Sequence, residues 1–178
     1  EQVHTLQRLA ALAGVAARYP EREAIVAGDL RITYAEFWRQ AQKTAAALAA
    51  LGVGRGDHVA IWLPSRPSWL FAQYACAALG AVAVALNPRY KAHEVSYILR
   101  QSDAAALILA DHLGPVDYLE TLAEVLPGLA QSEPGALEAP GFPANVYVHP
   151  NGKVYAGTFS NLAGDKTASI VREWTRDG

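Results

Sequence analysis

Three apolar runs do most to limit what this chain can fold into: "HVAIWL" at 58–63, "AVAVAL" at 81–86 and "ALILA" at 106–110. None alternates apolar with polar residues, as a half-buried strand does. Near-continuous runs of this kind fit strands covered on both faces. A helical pattern stands before each of them. Phe37, Ala41, Ala45, Leu48 and Leu51 recur at helical spacing ahead of the first. "PSWLFAQYACAALG" leads to the second, "KAHEVSYILRQSD" to the third, and "VDYLETLAEVL" follows it. Alternating helix and strand predicts an α/β fold, a Rossmann-like parallel sheet with covering helices. Such a sheet takes ligands beyond the C-terminal ends of its strands. Those ends fall near Pro64-Ser65, Asn87-Pro88-Arg89 and Asp111-His112.

The N-terminal segment adds a helix and a pair of strands. Thr5 is placed to cap a helix through "LQRLAALAGVAARYP", which stops at Tyr19-Pro20. "EAIVAGDLRITY" reads as two short strands around a Gly28-Asp29 turn. Thr33 and Glu36 then match a capping box, in which hydroxyl and carboxylate satisfy backbone donors reciprocally. Between Gly52 and Asp57, "GVGRGD" runs from a helix into a strand. A phosphate cradle needs the reverse order, so the segment reads as a plain connection rather than a nucleotide loop or an Arg-Gly-Asp adhesion signal.

Composition closes off several classes of function. At 52% hydrophobic and 18% charged, with a net charge of −2 and scattered basic residues, the chain offers no nucleic-acid surface. Cys76 is the single cysteine, inside "FAQYACAALG", and is expected to be a buried core residue rather than a nucleophile. A lone thiol fits a reducing, cytoplasmic setting. His4, His58, His93, His112 and His149 show no ligand spacing, so no metal site is expected. Trp69 to Leu86 imitates a membrane span but contains Gln73 and a helix-ending Gly80. A buried helix followed by a buried strand explains it better. The chain lacks methionine even at position 1, which is expected of a piece of a longer protein.

From Pro127 the texture changes. "PGLAQSEPGALEAPGFPA" reads as a linker, and beyond it "NVYVHP" and "KVYAGTFS" flank Asn151-Gly152, a strong hairpin signal. "SIVREWTRDG" supplies a further strand, making a short antiparallel β meander. The expected organisation is an α/β unit over 1–127, a linker over 128–144 and the meander over 145–178. The meander is read as foreign to the first unit, joined near Pro143-Ala144. Exposed sheet edges make a homodimer one expected assembly.

Residues 6–143 resemble the N-terminal part of the adenylate-forming superfamily, above all the acyl- and aryl-CoA synthetases. The ordered phrases "YPEREAIVAGDLRITYAEF", "AAALAALGVGRGDHVAIWLPSRPSW" and "AALGAVAVALNPRYKAHEVSYILRQSDAAALILAD" carry the resemblance. It implies a full-length enzyme that activates a carboxylic acid with ATP and magnesium, then passes the acyl group to coenzyme A. The family's phosphate loop, magnesium-site residues, ribose-binding Asp and C-terminal Lys all belong downstream of the matched region. No catalytic residue is therefore expected here, and no cofactor bound by this chain alone. "VYAGTFSNLAGDKTA" imitates a phosphate loop through Gly157, Thr158, Ser160, Gly164 and Lys166, but Asp165 would repel phosphate where the family has Pro-Lys-Gly. One site carries over. In aryl-CoA ligases sharing "NPR", the arginine meets a phosphate of the CoA nucleotide, and the resemblance implies that role for Arg89 here. The tail, for its part, resembles one blade of a β-propeller of the lactonase/senescence-marker type. One blade cannot close a propeller.

Overall fold

The computed structural model describes residues 2–110 and 112–126, together with strands at 145–149, 154–158 and 169–174. Helix α1 (Gln2–Arg18) leads to a hairpin of β1 (Glu23–Ala27) and β2 (Leu30–Thr33), then to α2 (Tyr34–Ala50). Because α1 already begins at Gln2, Thr5 lies inside its first turns rather than at its cap. At the start of α2, the Glu36 amide donates to Thr33 Oγ1 at 3.3 Å. Only this half of the expected capping box forms. The Glu36 carboxylate instead receives Arg39 Nε at 2.9 Å and Gln40 Nε2 at 2.7 Å, because both partners lie within reach on its own helix face. Burial acts to raise the Glu36 pKa, but these hydrogen bonds and the Arg39 and Lys43 charges outweigh it and hold the group below its ordinary value.

The α/β core follows as β3 (His58–Trp62), α3 (Pro67–Leu79), β4 (Val82–Ala85), α4 (Ala92–Gln101) and β5 (Ala104–Ala110). β3 pairs in parallel with β4 on one side and β5 on the other. The chain thus crosses from β3 out to β4, then back past β3 to β5. Right-handed crossovers running in opposite directions place α3 and α4 on opposite faces. The helix packing agrees, with α3 against α1 and α2 and α4 against α5 (Tyr118–Val125). A small hairpin of β6 (His112–Leu113) and β7 (Val116–Asp117), unforeseen in the sequence, delivers α5. Asp117 caps α5 by accepting from the Glu120 amide at 2.9 Å.

Packing follows position in the sheet. Val59, Ala60, Ile61 and Trp62 of central β3 are wholly buried, as are Leu107 and Leu109 of β5. β4 departs from the expectation. Val82 is 41% exposed, because β4 is the last strand in its sheet and has one neighbour only. An apolar run records what a strand can bury, not whether a neighbour covers it. A second, smaller cluster of Leu12, Ile32 and Phe37 joins the hairpin to α1 and α2, with the Phe37 ring edge-on to Tyr74 at 5.1 Å.

The "GVGRGD" segment works as a tie between elements. Asp57 Oδ2 accepts from the Gly54 amide at 2.7 Å, and the Gly56 amide donates to the Gly80 carbonyl at 3.0 Å. Gly80 ends α3 in the left-handed region (φ 68°), and a Cβ there would lie 3.3 Å from Arg55 Cγ. No helix among the described residues is long and apolar enough to cross a membrane, since Gly80 divides the apolar run into α3 and β4.

The sheet continues past β5. β8 (Asn145–His149) pairs with β5 in parallel, β9 (Val154–Thr158) with β8 antiparallel, and β10 (Ser169–Trp174) with β9 antiparallel. The order across the sheet is β10-β9-β8-β5-β3-β4. Val148 stands opposite Tyr155, so the β8–β9 register is symmetric about positions 151 and 152, which lie outside the described residues. The Pro143-Ala144 junction and most of the phosphate-loop imitation, including Ser160, Gly164, Asp165 and Lys166, also lie outside them.

Candidate functional site

Strand order decides where a ligand can approach. In a parallel sheet all strands end at one rim, and the loops that leave it in opposite directions open a crevice there. The loops after β3 (63–66) and β4 (86–91) meet at this rim. The Leu86 amide still donates to the Ile61 carbonyl at 3.0 Å, so the β4 loop leaves directly beside β3.

The loop carrying Arg89 is firmly held. Trp62 Nε1 donates to the Asn87 carbonyl at 3.0 Å, and Tyr118 Oη donates to the Pro88 carbonyl at 2.9 Å. The Asn87 side-chain oxygen accepts from the Arg89 amide at 2.9 Å, and the Tyr90 amide closes a turn onto the Asn87 carbonyl at 3.1 Å. Trp62 and Tyr118 are both fully buried and meet edge-to-face at 4.5 Å. Two buried aromatics thus spend their polar tips on successive carbonyls of one loop. Neither emerged from the sequence as a site residue. An indole nitrogen and a phenol inside apolar or helical segments each need a partner once buried, and that need was the available signal.

The loop's basic side chain is left outside. Arg89 is exposed and makes no ion pair among the described residues. A fixed backbone under a free guanidinium suits reception of an anionic oxygen pair. Of the other expected ligand positions, Pro64 is buried and Ser65 exposed on the neighbouring loop, while Asp111 lies outside the described residues. Downstream, the Lys91 amide donates to Glu94 Oε2 at 2.7 Å, which starts α4.

The other candidates resolve structurally. Cys76 is buried on α3, and burial pushes its thiol up to about 12, far from a reactive thiolate. The His58 ring donates through Nδ1 to the Ser102 carbonyl, joining β3 to the end of α4 at the opposite rim. Among the described residues no three His, Cys, Asp or Glu side chains gather as a metal site.

Comparison with known proteins gives the same fold a family. The profile described as AMP-binding enzyme matches residues 12–150. The chain belongs to this family. It is 42% identical over 146 residues to YngI of Bacillus subtilis (strain 168), named as an acyl-CoA synthetase, covering 80% of this chain and 26% of that protein. It is 33% identical over 130 residues to the human mitochondrial medium-chain acyl-CoA ligase ACSF2, covering 72% and 21%. Among solved structures, the anthranilate CoA ligase AuaEII in complex with anthranoyl-AMP superposes with a TM-score of 0.65 at 22% identity, over 81% of this chain and 24% of that one. The chain thus spans about a quarter of the length of these three relatives.

Proposed function

We propose that this chain is the N-terminal subdomain of an acid–CoA ligase, an enzyme that adenylates a carboxylic acid with ATP and then transfers the acyl group to coenzyme A. Its part in that reaction is to present Arg89 to a phosphate of the CoA nucleotide. The observation that carries this reading is the loop at 87–90, held by Trp62 and Tyr118, with its guanidinium in no ion pair among the described residues. The chain by itself is inactive in this reading. Adenylation must neutralise a triphosphate against a weak carboxylate nucleophile, which calls for convergent cations. Magnesium and the residues that would position ATP come from beyond the region described here. The reaction belongs in the cytoplasm, with the acid and CoA as its partners and a homodimer as its assembly.

Two measurements test this. In a full-length relative sharing "NPR", alanine at the position matching Arg89 raises KM for CoA about tenfold while leaving the adenylation half-reaction intact. An unchanged KM removes the site. The 178-residue chain is also expected to give no acid-dependent exchange of pyrophosphate into ATP, and exchange above background overturns the inactivity.

A second reading concerns the tail. The strand sense turns from parallel to antiparallel between β8 and β9, and the family match ends at residue 150. Both support an origin outside the ligase fold for the part beyond β8, in a fused or engineered chain whose β tail derives from a lactonase-like propeller and whose role is structural or in interaction only. The ligase-derived portion then includes β8, several residues past the junction expected at Pro143-Ala144. Further blade repeats in the parent reading frame would support this reading, and a Pro-Lys-Gly phosphate loop would sink it.

A further inference from the structure

Arg66 stands where helix stability argues against it. It occupies the N-cap of α3 with extended backbone (φ −128°, ψ 159°), and its side chain makes no capping hydrogen bond. That position favours Ser, Thr, Asp or Asn, and the positive end of a helix repels a cation. Arg66 is exposed and makes no ion pair among the described residues. Its backbone is nevertheless fixed. The amide donates to the Pro64 carbonyl at 2.7 Å, the carbonyl accepts from the Trp69 amide at 3.0 Å, and Pro67 follows at once. A local choice that opposes its own helix, on a rigid support, marks a position kept for another purpose.

Its placement indicates that purpose. Arg66 comes four residues after Trp62 on β3, and Arg89 comes four after Ala85 on β4. β3 and β4 are parallel neighbours, with Ile61 opposite Ala85. Neighbouring strands lie about 5 Å apart, so the two loops set off side by side within an arginine's reach. The Tyr118 hydroxyl donates to the Pro88 carbonyl of the Arg89 loop, and the Arg66 charge is felt at that same phenol. Two guanidiniums without an ion pair among the described residues thus share one rim, with Lys91 following on the same loop as Arg89. Like charges on one rim attract an anion to it.

We propose that Arg66 is a second phosphate-contacting residue beside Arg89, so that the loops after β3 and β4 together grip the phosphates of the CoA nucleotide. This rests on the reading of Arg89 above. The test is calorimetric titration with coenzyme A of a full-length family member that carries arginine at the positions matching Arg66 and Arg89, comparing the unaltered enzyme with the changes matching Arg66→Ala, Arg66→Lys, Arg89→Ala and the double alanine variant. Each alanine change is expected to weaken binding about five- to tenfold, with the two effects multiplying and Arg66→Lys recovering part of the loss. Thermal midpoints of Arg66→Ala at or above that of the unaltered enzyme exclude unfolding as the cause. If Arg89→Ala weakens binding and Arg66→Ala does not, Arg66 is overturned while the Arg89 reading stands. If only Arg66→Ala matters, the Arg89 reading falls. An unaltered full-length enzyme that takes up no coenzyme A at millimolar concentration overturns both.

Discussion

Tyr118→Phe isolates the support under the Arg89 loop. The substitution keeps the ring and its edge-to-face contact with Trp62 at 4.5 Å, and removes only the hydroxyl that donates to the Pro88 carbonyl at 2.9 Å. A net hydrogen bond contributes about 1 kcal/mol, and a deprived, half-buried carbonyl adds part of its desolvation cost, so the expected loss is about 1–2 kcal/mol. With a urea slope of about 2 kcal/mol/M, the unfolding midpoint falls by roughly 0.5–1 M. Circular dichroism in urea reads this directly. The phenol also leaves a signature in pH. Burial raises the Tyr118 pKa above its ordinary value of 10.0, with the Arg66 charge opposing. A folded-state pKa above the unfolded one contributes stability that is complete below the unfolded value and is lost as pH climbs through the folded one. The gap between the unaltered chain and Tyr118→Phe should therefore hold steady to about pH 9 and narrow above 10. A midpoint change under about 0.1 M, or a gap that does not narrow, refutes the proposed bond.

Two further outcomes follow from the packing. Gly80→Ala is expected to cost about 1–2 kcal/mol in the same urea assay, because its left-handed backbone (φ 68°) disfavours a Cβ and Arg55 stands 3.3 Å from that position. A neutral result would mean the α3 end relaxes freely. Cys76, with its thiol pushed up to about 12, should react with a disulfide reagent only on unfolding, so labelling rises with urea in step with circular dichroism. Full labelling of the folded chain at neutral pH would place it at the surface.

The apolar runs at 58–63 and 106–110 announced buried strands, and Gly80 announced the break between α3 and β4, because local periodicity and a glycine's freedom are written in the chain itself. The position of Arg89, on the loop after β4, was legible from "LNPRY" following an apolar run. The half-formed capping box at Thr33 was less so, since a pattern cannot tell which of several nearby partners a carboxylate takes. The exposed face of β4 and the turn of the sheet through β8 depended on which strands became neighbours. So did the meeting of Trp62 and Tyr118, 56 residues apart in sequence, over successive carbonyls of one loop.

By itself, then, the sequence determined the elements, their alternation and which loops leave the C-terminal ends of the strands, since these follow from spacing and turn chemistry within a few residues. The tertiary structure alone decided which strands stand at the edge, which buried aromatics brace the Arg89 loop, and that Arg66 shares its rim. Those outcomes depend on contacts between distant segments, which no local pattern encodes.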